Sequence, residues 1–340
     1  MISFQPRHIQ APELFGDFWF NSGPISIRAM KGSVVMVDFW DYSSSNCLRT
    51  LPYLKAWNRK YQDFGFLIIG VHTPEFKFGR NAENVERAIR RSGIDYPVVT
   101  DNEEFLWTSY SNRLRPTKYL IDKDGFLRYS HSGEGEYDQF ERSLQSLLNE
   151  AGYRGELPEL EPPLRETDIP GVVYFRATGE VQVGYLRGTI GNPEGFSPES
   201  TLDYSDHGYH VGGRFYLQGK WFNEKEFVRF DGQEGEEGYV GLQYEAVEAN
   251  AIMDSEPRTK STVFIEQDGL PLTAEIAGSD VTISSEGLSY VLVDEPRLFN
   301  LVRNKDFGEH RLKLTTASRN FGLYSFTFVT GVIHDLVSRN

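Results

Sequence analysis

The sequence predicts two domains, an α/β domain with a central mixed sheet flanked by helices and an all-β sandwich after it. Apolar strand runs alternate with amphipathic helical patterns in residues 12–152, as they do when helices cover a sheet. Residues 153–170 are rich in Pro and Glu and have no hydrophobic period, which predicts a linker. Residues 171–335 contain short β-branched or aromatic runs and no helical pattern.

The elements of the first half can be placed in chain order. Residues 34–39 are β-branched and aromatic, which predicts a buried strand, and the apolar residues from Cys47 onwards have helical spacing. Residues 66–71 predict a second buried strand of the kind found in parallel sheets. The other predicted elements are a helix at 82–92, a strand at 96–99, a short helix at 103–110, strands at 117–121 and 126–129 around an Asp-Lys-Asp-Gly turn, and a helix at 137–149.

The second half consists of short runs that predict strands. Gly, Asn or Asp-Gly turns separate them at a spacing typical of a sandwich, and a jelly roll is the arrangement they favour. The predicted strands lie at 171–176, 214–217, 226–230, 238–244, 246–253, 261–267, 288–293, 297–302, 310–316 and 324–330.

The net charge of −14 is unevenly distributed along the 340 residues. Residues 1–155 are balanced, with 19 basic and 19 acidic side chains, so the second half carries the whole excess. Neither half has a basic face, which excludes nucleic acid as the expected partner. Apolar runs such as 64–71 are too short to span a membrane.

The first ten residues lack a basic segment followed by an apolar one, so no secretory signal is predicted. This favours a soluble cytoplasmic protein, whereas removal of a signal peptide would place the same chain in the periplasm or outside the cell. Cys47 is the only cysteine, so no disulfide can form within the chain and cysteine usage indicates no compartment.

Cys47 stands where a buried strand passes through a polar turn into a helix. The N–H groups at a helix N-terminus stabilise a thiolate, so this position suits a reactive cysteine. A dithiol centre needs two sulfurs at Cys-x-x-Cys spacing, and here the first position holds Ser44. Because the thiolate is the species that attacks a disulfide, we expect no dithiol exchange.

The stretch KGSVVMVDFWDYSSSNCLRTLP, residues 31–52, resembles the active-site region of thioredoxin-like proteins of the TlpA and DipZ type. Residues 70–76, 119–122 and 133–137 resemble later signatures of that family. The resemblance spans about residues 12–151 and implies a thioredoxin-like fold for 12–152. The predicted order of strands and helices agrees with that fold.

The same resemblance implies roles for individual residues. Ser44 takes the position of the nucleophilic cysteine, where it is a substitution, and Cys47 takes that of the resolving cysteine. Pro116 belongs to the cis-proline loop, which binds extended substrate backbone, and Trp40 and Tyr42 lie beside the cysteine. The implied partners are protein thiols or an extended peptide in the groove at this loop.

Arg115 precedes Pro116, and the resemblance implies that the bond between them is cis. The Arg115 guanidinium adds a positive charge at the rim of the groove. It would lower the pKa of the Cys47 thiol if it approached the sulfur.

Residues 294–302 resemble part of the carbohydrate-binding-module-like sandwich that follows the thioredoxin domain in this family. The implied ligand of residues 171–335 is therefore carbohydrate. Such modules stack sugar rings on exposed aromatic side chains, because Trp and Tyr rings are amphipathic. Tyr209 and Trp221 lie in or beside Gly-rich turns and are the candidates for exposure.

The motif residues allow more than one interpretation. Ser44 suits a helix start, where Ser is a preferred capping residue. Cys47 is either a small buried side chain or a monothiol that forms a mixed disulfide or a sulfenic acid. The Ser-x-x-Cys pattern is also similar to the Thr-x-x-Cys of peroxiredoxins, although Trp40 stands where that family has a proline.

Two classes of function follow. One is a relative of thiol-disulfide oxidoreductases that acts as a monothiol enzyme or binds peptide in the groove. The other is a non-enzymatic protein that binds carbohydrate or protein through the β-sandwich. A thiol pKa well below the ordinary value of ~8.5 would favour the first class.

The histidines are weaker candidates. His72 follows a central strand and suits either an acid–base group or a packed side chain. His207 and His210 lie near Asp203 and Asp206, where they could bind a cation, although such clusters in Gly-rich loops more often form turns. We therefore predict no metal and no cofactor.

Overall fold

The computed structural model describes residues 9–257 and 259–334. The chain divides into two compact units, with the boundary after Gly171. Unit 1 is α/β and unit 2 is all-β, as the change of hydrophobic pattern predicts. Among the described residues, no helix is both long enough and apolar enough to cross a bilayer.

Unit 1 is built on a mixed sheet that is covered by helices. In chain order its elements are β1 (Trp19–Phe20), β2 (Val34–Trp40), α1 (Ser45–Tyr61), β3 (Phe66–His72), α2 (Ala82–Ser92), β4 (Val98–Thr100), α3 (Phe105–Ser109), β5 (Thr117–Ile121), β6 (Leu127–Ser132) and α4 (Tyr137–Ala151). The strand order is β1-β4-β3-β2-β5-β6. Strands β2, β3 and β4 are parallel, and the other pairings are antiparallel.

The central strand β2 is buried along its whole length because both faces of the sheet are covered. Val34 and Met36 pack into one hydrophobic core with side chains of α1, α2 and α4. Val35 and Val37 pack into a second core on the opposite face. This double burial explains why the strand is a continuous apolar run in the sequence.

Helix α1 begins directly after Ser44, whose Oγ accepts a hydrogen bond from the backbone N–H of Cys47 at 3.4 Å. Pro52 lies inside the helix. Because proline has no N–H, one intrahelical hydrogen bond is missing at this position. The apolar face of the helix, which includes Leu54 and Trp57, packs into the core beneath it.

Unit 2 contains strands that form one large antiparallel sheet around a single hydrophobic core. Its elements are β7 (Val181–Gln182), β8 (Thr201–Tyr204), β9 (Phe215–Asn223), β10 (Val228–Phe230), β11 (Gly238–Ser255), β12 (Ser261–Gln267), β13 (Leu270–Pro271), β14 (Thr282–Ile283), β15 (Ser289–Val293), β16 (Arg297–Thr316) and β17 (Phe321–Val329). The predicted strand at 171–176 does not form, and Tyr174 makes only an isolated bridge to Val332. The jelly-roll arrangement stays a prediction.

Strands β11 and β16 are longer than the sequence predicts. Each corresponds to two predicted strands, yet the structure has single strands of 18 and 20 residues that pair antiparallel with each other. The register shifts between Ala246 and Glu248 and again between Ala249 and Asn250. A bulge lets a strand bend without ending, so polar residues that suggest a turn can lie inside it.

Candidate active-site region

The candidate site lies where β2 ends and α1 begins. Trp40, Tyr42 and Cys47 are buried and belong to the same core. Ser44 is partly exposed and Asn46 is exposed, so the turn itself forms the surface of the site. Parallel strands end at the same edge of a sheet, so the end of β3 adjoins the end of β2.

The thiol of Cys47 is shielded from solvent. The residue is 0% exposed, and burial raises the pKa of the thiol to about 12. Hydrogen bonding from Ser44 and the Asp41 backbone lowers this pKa, while the nearby carboxylates of Asp38 and Asp41 raise it. The thiol is therefore protonated at neutral pH. This environment agrees with the buried side chain that the sequence allows and lacks the features of a reactive monothiol.

Asp38 on β2 lies opposite Lys118 on β5, and both side chains are buried. Among the described residues, neither carboxylate oxygen of Asp38 nor the Nζ of Lys118 has a hydrogen-bond partner. Burial raises the pKa of Asp38 to about 6 and lowers that of Lys118, and each charge opposes the shift of the other. Asp38 is conspicuous in the sequence because it is a charged residue inside an apolar run. Its position opposite Lys118 depends on the register of β2 and β5, which the sequence does not show.

Asp41 organises the turn between β2 and α1. Its Oδ1 accepts hydrogen bonds from the N–H and the Oγ–H of Ser43 at 2.8 and 2.9 Å, and its Oδ2 accepts one from the N–H of Glu75 at 2.7 Å. Burial alone would raise the pKa of Asp41, but His72, the Ser43 amide and Arg115 lower it to about 2. The carboxylate is therefore charged at neutral pH and joins the turn to the segment after β3.

His72 is completely buried among aromatic rings. Its ring is stacked on Tyr42 with centroids 5.3 Å apart and lies edge-on to Trp40 at 5.4 Å. Its Nε2 is 3.7 Å from Oδ1 of Asp41. This is the packed histidine that the sequence allows, and it contacts the site from the end of β3.

The Arg115–Pro116 peptide bond is cis, which confirms the expectation for this loop. The carbonyl of Pro116 accepts a hydrogen bond from the N–H of Gly133 at 2.7 Å, which joins the loop to the turn after β6. The Arg115 side chain is directed to α3, because its Nε donates to the carbonyl of Thr73 at 2.9 Å and its guanidinium lies 4.4 Å from the Trp107 ring. Its charge lowers the pKa of Asp41, while burial keeps the pKa of Cys47 raised.

Residues 161–168, here called the α1 strap, lie within the predicted linker and are bonded to unit 1. The hydroxyl of Tyr53 on α1 donates to Oδ2 of Asp168 and accepts from the N–H of Leu164, both at 2.8 Å. The first residue of the strap donates its N–H to Oε2 of Glu141 on α4 at 2.7 Å. The strap is therefore ordered by contacts with two helices.

Arginine side chains extend the strap toward the candidate site. Arg165 donates from Nη1 to the carbonyl of Arg49 at 2.8 Å. Arg49 in turn donates to Thr167 of the strap and forms an ion pair with Glu134, in the turn after β6, at 2.7 Å. These bonds connect the strap, the first turns of α1 and the turn that contacts Pro116.

The histidine cluster of unit 2 forms only in part. His210 Nε2 is 2.8 Å from Oδ2 of Asp206, whereas His207 is exposed and Asp203 takes no part in the pair. In the described part of the chain, no group of three His, Cys, Asp or Glu side chains could hold a metal ion.

The two aromatic candidates of unit 2 have different environments. Tyr209 is 80% exposed, as predicted. Trp221 is completely buried, so the prediction of its exposure is wrong. It lies on the inward side of β9, where its ring packs edge-on against Phe230 and Phe321 and its Nε1–H donates to the carbonyl of Gln218.

Comparison with known families agrees with this architecture. Residues 10–130 match the AhpC/TSA family, and residues 178–328 match the family described as a thioredoxin-like C-terminal domain. Unit 1 is thioredoxin-like. The residues that match the C-terminal domain family all lie in unit 2.

Individual relatives include two proteins that are named for thiol-disulfide chemistry. Protein DipZ of Mycobacterium tuberculosis is 32% identical over 277 residues, which are 80% of this chain and 38% of DipZ. Thiol-disulfide oxidoreductase ResA of Geobacillus kaustophilus is 29% identical over 117 residues, 34% of this chain and 64% of ResA. A thiol-disulfide isomerase structure from Corynebacterium glutamicum is 24% identical, with a TM-score of 0.37, over 41% of this chain and 96% of that one. The chain thus has homologues among thiol-disulfide oxidoreductases and spans well under half the length of DipZ.

Proposed function

We propose that unit 1 is a thioredoxin-like module without dithiol exchange that binds extended protein segments in the groove at Pro116. The observation that carries this proposal is the burial of Cys47, which raises the pKa of its thiol to about 12. The sequence contains no second cysteine that could form a dithiol with it. Exchange needs an accessible thiolate. The same burial counts against a monothiol enzyme and against peroxide reduction, which both start from a thiolate.

The cis-proline loop supports the peptide-binding part of the proposal. In the described part of the chain, the backbone N–H and C=O of Arg115 form no hydrogen bond. An extended peptide can pair with such groups by β-augmentation. Leu114, one residue earlier, is 48% exposed and offers an apolar contact beside them.

The redox part is tested by insulin reduction in the presence of dithiothreitol. We expect the protein to leave the rate at the buffer value, and we expect iodoacetamide to label Cys47 only after the chain is unfolded in urea. Turnover that disappears when Cys47 is alkylated would show that the site is a working thiol enzyme.

The peptide part is tested with fluorescein-labelled, carboxymethylated insulin B chain and fluorescence anisotropy. We expect wild-type protein to bind the probe and Leu114→Asp to weaken binding at least tenfold, because the charge stands beside the free backbone groups of Arg115. Leu186→Asp is the matched control, since Leu186 is 65% exposed in unit 2. Absence of binding, or equal loss in both variants, would contradict the proposal.

A second candidate function belongs to unit 2. We propose that it binds carbohydrate, and the observation that favours this is the exposure of Tyr209 on a Gly-rich loop. An exposed tyrosine ring can stack on the apolar face of a sugar. In this alternative the chain is a non-enzymatic binding protein.

A further inference from the structure

Three ionisable side chains lie side by side across strands β2, β5 and β6. Asp38 is opposite Lys118 and Lys118 is opposite His131, so the row runs from a central strand to the edge strand β6. Directly opposed residues on neighbouring strands point to the same face of a sheet. The row therefore connects two buried ionisable groups to a histidine whose side chain is 13% exposed.

We propose that this row is a pH-operated latch. When the imidazole of His131 is protonated, it fastens residues 133–136, here called the β6 turn, beside the loop that contains Pro116. The inference assigns unit 1 a contact controlled by ionisation, and it rests on the proposed function only where it predicts an effect on peptide binding.

Both ring nitrogens of His131 face acceptors in the β6 turn. Nε2 is 3.1 Å from the backbone carbonyl oxygen of Glu134, and Nδ1 is 3.4 Å from Oε2 of Glu136. A carbonyl and an ionised carboxylate only accept, whereas a neutral imidazole has one N–H and a protonated imidazole has two. The neutral ring therefore serves one acceptor, and the protonated ring bonds to the carbonyl and pairs with the carboxylate at the same time.

The backbone of the β6 turn depends on contacts of this kind. Glu136 has a φ of 49°, in the left-handed region that residues other than glycine rarely adopt. This conformation costs free energy, which the contact with His131 helps to offset. At the other end of the turn, the N–H of Gly133 donates to the carbonyl of Pro116 at 2.7 Å. A fastened turn therefore also holds the residue that bonds to the Pro116 loop.

Lys118 opposes the protonation of His131. Burial lowers the pKa of His131, the Glu134 carbonyl raises it, the charge of Lys118 lowers it, and Glu136 raises it. The balance is a lowered pKa, so the latch closes below the ordinary histidine value of ~6.5.

The charge of Lys118 depends in turn on the groups that face it. These are Asp38 from β2, the thiol of Cys47 from α1 and Glu134 from the β6 turn. Because the Cys47 thiol is protonated at neutral pH, the carboxylates are the groups that favour a charged Lys118. Removal of the Lys118 charge should therefore raise the pH at which His131 takes up its proton.

The first measurement is an NMR titration of the full chain labelled with carbon-13 histidine, in which His131→Gln identifies the His131 signal. We expect Lys118→Met to raise the midpoint of His131 by about half a pH unit, because one positive charge beside the ring is removed. Lys123→Met is the matched control, since Lys123 lies in the turn beyond the opposite end of β6. It should leave the midpoint unchanged.

Glu136→Gln keeps the test valid if Lys118→Met does not fold. The side chain of Glu136 is 59% exposed, so the variant should fold, and we expect the midpoint of His131 to fall by about half a pH unit because the anion that favours the imidazolium is gone. Glu83→Gln, at an exposed position of α2, is its control and should cause no shift.

Two further readouts follow the latch to the Pro116 loop. The backbone amide signal of Gly133 should shift with the midpoint of His131 in wild type and should lose this transition in His131→Gln. Anisotropy with the carboxymethylated insulin B chain gives the ratio of the wild-type affinity to the His131→Gln affinity, in which titration of the probe itself cancels. We expect this ratio to rise about threefold from pH 7.5 to pH 5, because a fastened turn preorganises the groove.

The outcomes separate the latch from the proposed function. If a folded variant at Lys118 or Glu136 leaves the midpoint of His131 unmoved, or the Gly133 amide does not follow it, the latch is overturned whether or not peptide binds. If both signals appear and no peptide binds at any pH, the latch stands and the peptide-binding function fails. If peptide binds with a ratio that does not change with pH, control of the groove by the latch is overturned.

Discussion

The hydroxyl of Ser44 caps the helix that contains Cys47, since its Oγ accepts a hydrogen bond from the backbone N–H of Cys47 with an N–O distance of 3.4 Å. Serine is among the residues preferred at this position, so Ser44 stabilises the helix start. The residue at the position that the resemblance assigns to the nucleophile therefore has a structural role here. The thiol of Cys47 is enclosed by the same helix start.

The first prediction concerns Ser44→Cys. It creates Cys-x-x-Cys spacing at the start of α1, so we expect oxidation to form a disulfide with Cys47 that dithiothreitol reverses, seen as a mass change of about 2 Da. Loss of the cap should lower the free energy of unfolding of the reduced variant by about 1 kcal/mol.

Ser45→Cys is the matched control for that experiment. Ser45 is the next residue, partly exposed like Ser44, but it is one position out of the required spacing. We expect no disulfide within this variant. A disulfide with Ser45→Cys and none with Ser44→Cys would contradict the assignment of the motif positions.

The second prediction concerns Asp41→Asn. Because the pKa of Asp41 is lowered to about 2 from 3.8, its charge contributes stability that is present above pH 3.8 and lost as the pH falls through about 2. We expect the variant to lose about 2 kcal/mol of unfolding free energy at pH 7 in urea denaturation. The difference from wild type should shrink as the pH falls from 5 toward 2.

Asp17→Asn tests whether that effect is specific to the turn. Asp17 is an exposed aspartate of unit 1, so its substitution should leave stability within about 0.5 kcal/mol of wild type at every pH. A pH-independent loss in Asp41→Asn would show that packing, and not the charge, accounts for the role of Asp41.

The third prediction concerns Tyr53→Phe and the α1 strap. The variant loses the hydroxyl that bonds to Asp168 and Leu164, so the strap should be cleaved faster in limited proteolysis while the folded core persists. The unfolding free energy should fall by about 1–2 kcal/mol. Tyr153→Phe is the control, because its hydroxyl makes one exposed bond at 3.3 Å; equal cleavage rates in the two variants would contradict the assignment.

The fourth prediction concerns Asp254→Asn in unit 2. Burial raises the pKa of Asp254 to about 6, so its contribution to stability is fully present below pH 3.8 and is lost as the pH rises through 6. The variant lacks this loss. Relative to wild type, we expect it to gain about 2 kcal/mol of unfolding free energy between pH 4 and pH 7.5.

Glu234→Gln removes an exposed carboxylate of unit 2 and serves as the reference for Asp254→Asn. Its difference from wild type should not depend on pH over the same range. If the Asp254→Asn difference is also flat, the buried position of the carboxyl group does not control its ionisation.

Local signals explain where prediction from the sequence succeeded. Helix α2 has the predicted bounds, since Asn81 caps its start and Gly93 ends it in the left-handed conformation that glycine adopts readily. The sequence predicts two strands in place of each of β11 and β16, because local polarity does not distinguish a turn from a bulge. The strand carrying Trp221 begins within a Gly-rich segment, and only the packing of unit 2 shows that its ring points inward.

The sequence predicts the motif residues of the candidate site but not the contacts that surround them. The positions of Ser44 and Cys47 are read from contiguous residues, and the cis bond before Pro116 is what the family resemblance implies. The contacts that determine the chemistry join distant positions, such as Asp38 with Lys118 across two strands. Their existence depends on strand register, which a single sequence specifies only through the whole fold.

The enclosure of Cys47 has a consequence for how the chain responds to its chemical surroundings. Because Cys47 is buried in the folded chain, we expect its thiol to stay reduced both in a reducing cytosol and in an oxidising secretory space. For the same reason we expect no disulfide-linked dimer of the folded chain on storage in air. Oxidation of Cys47 is therefore not expected to switch the folded chain between states.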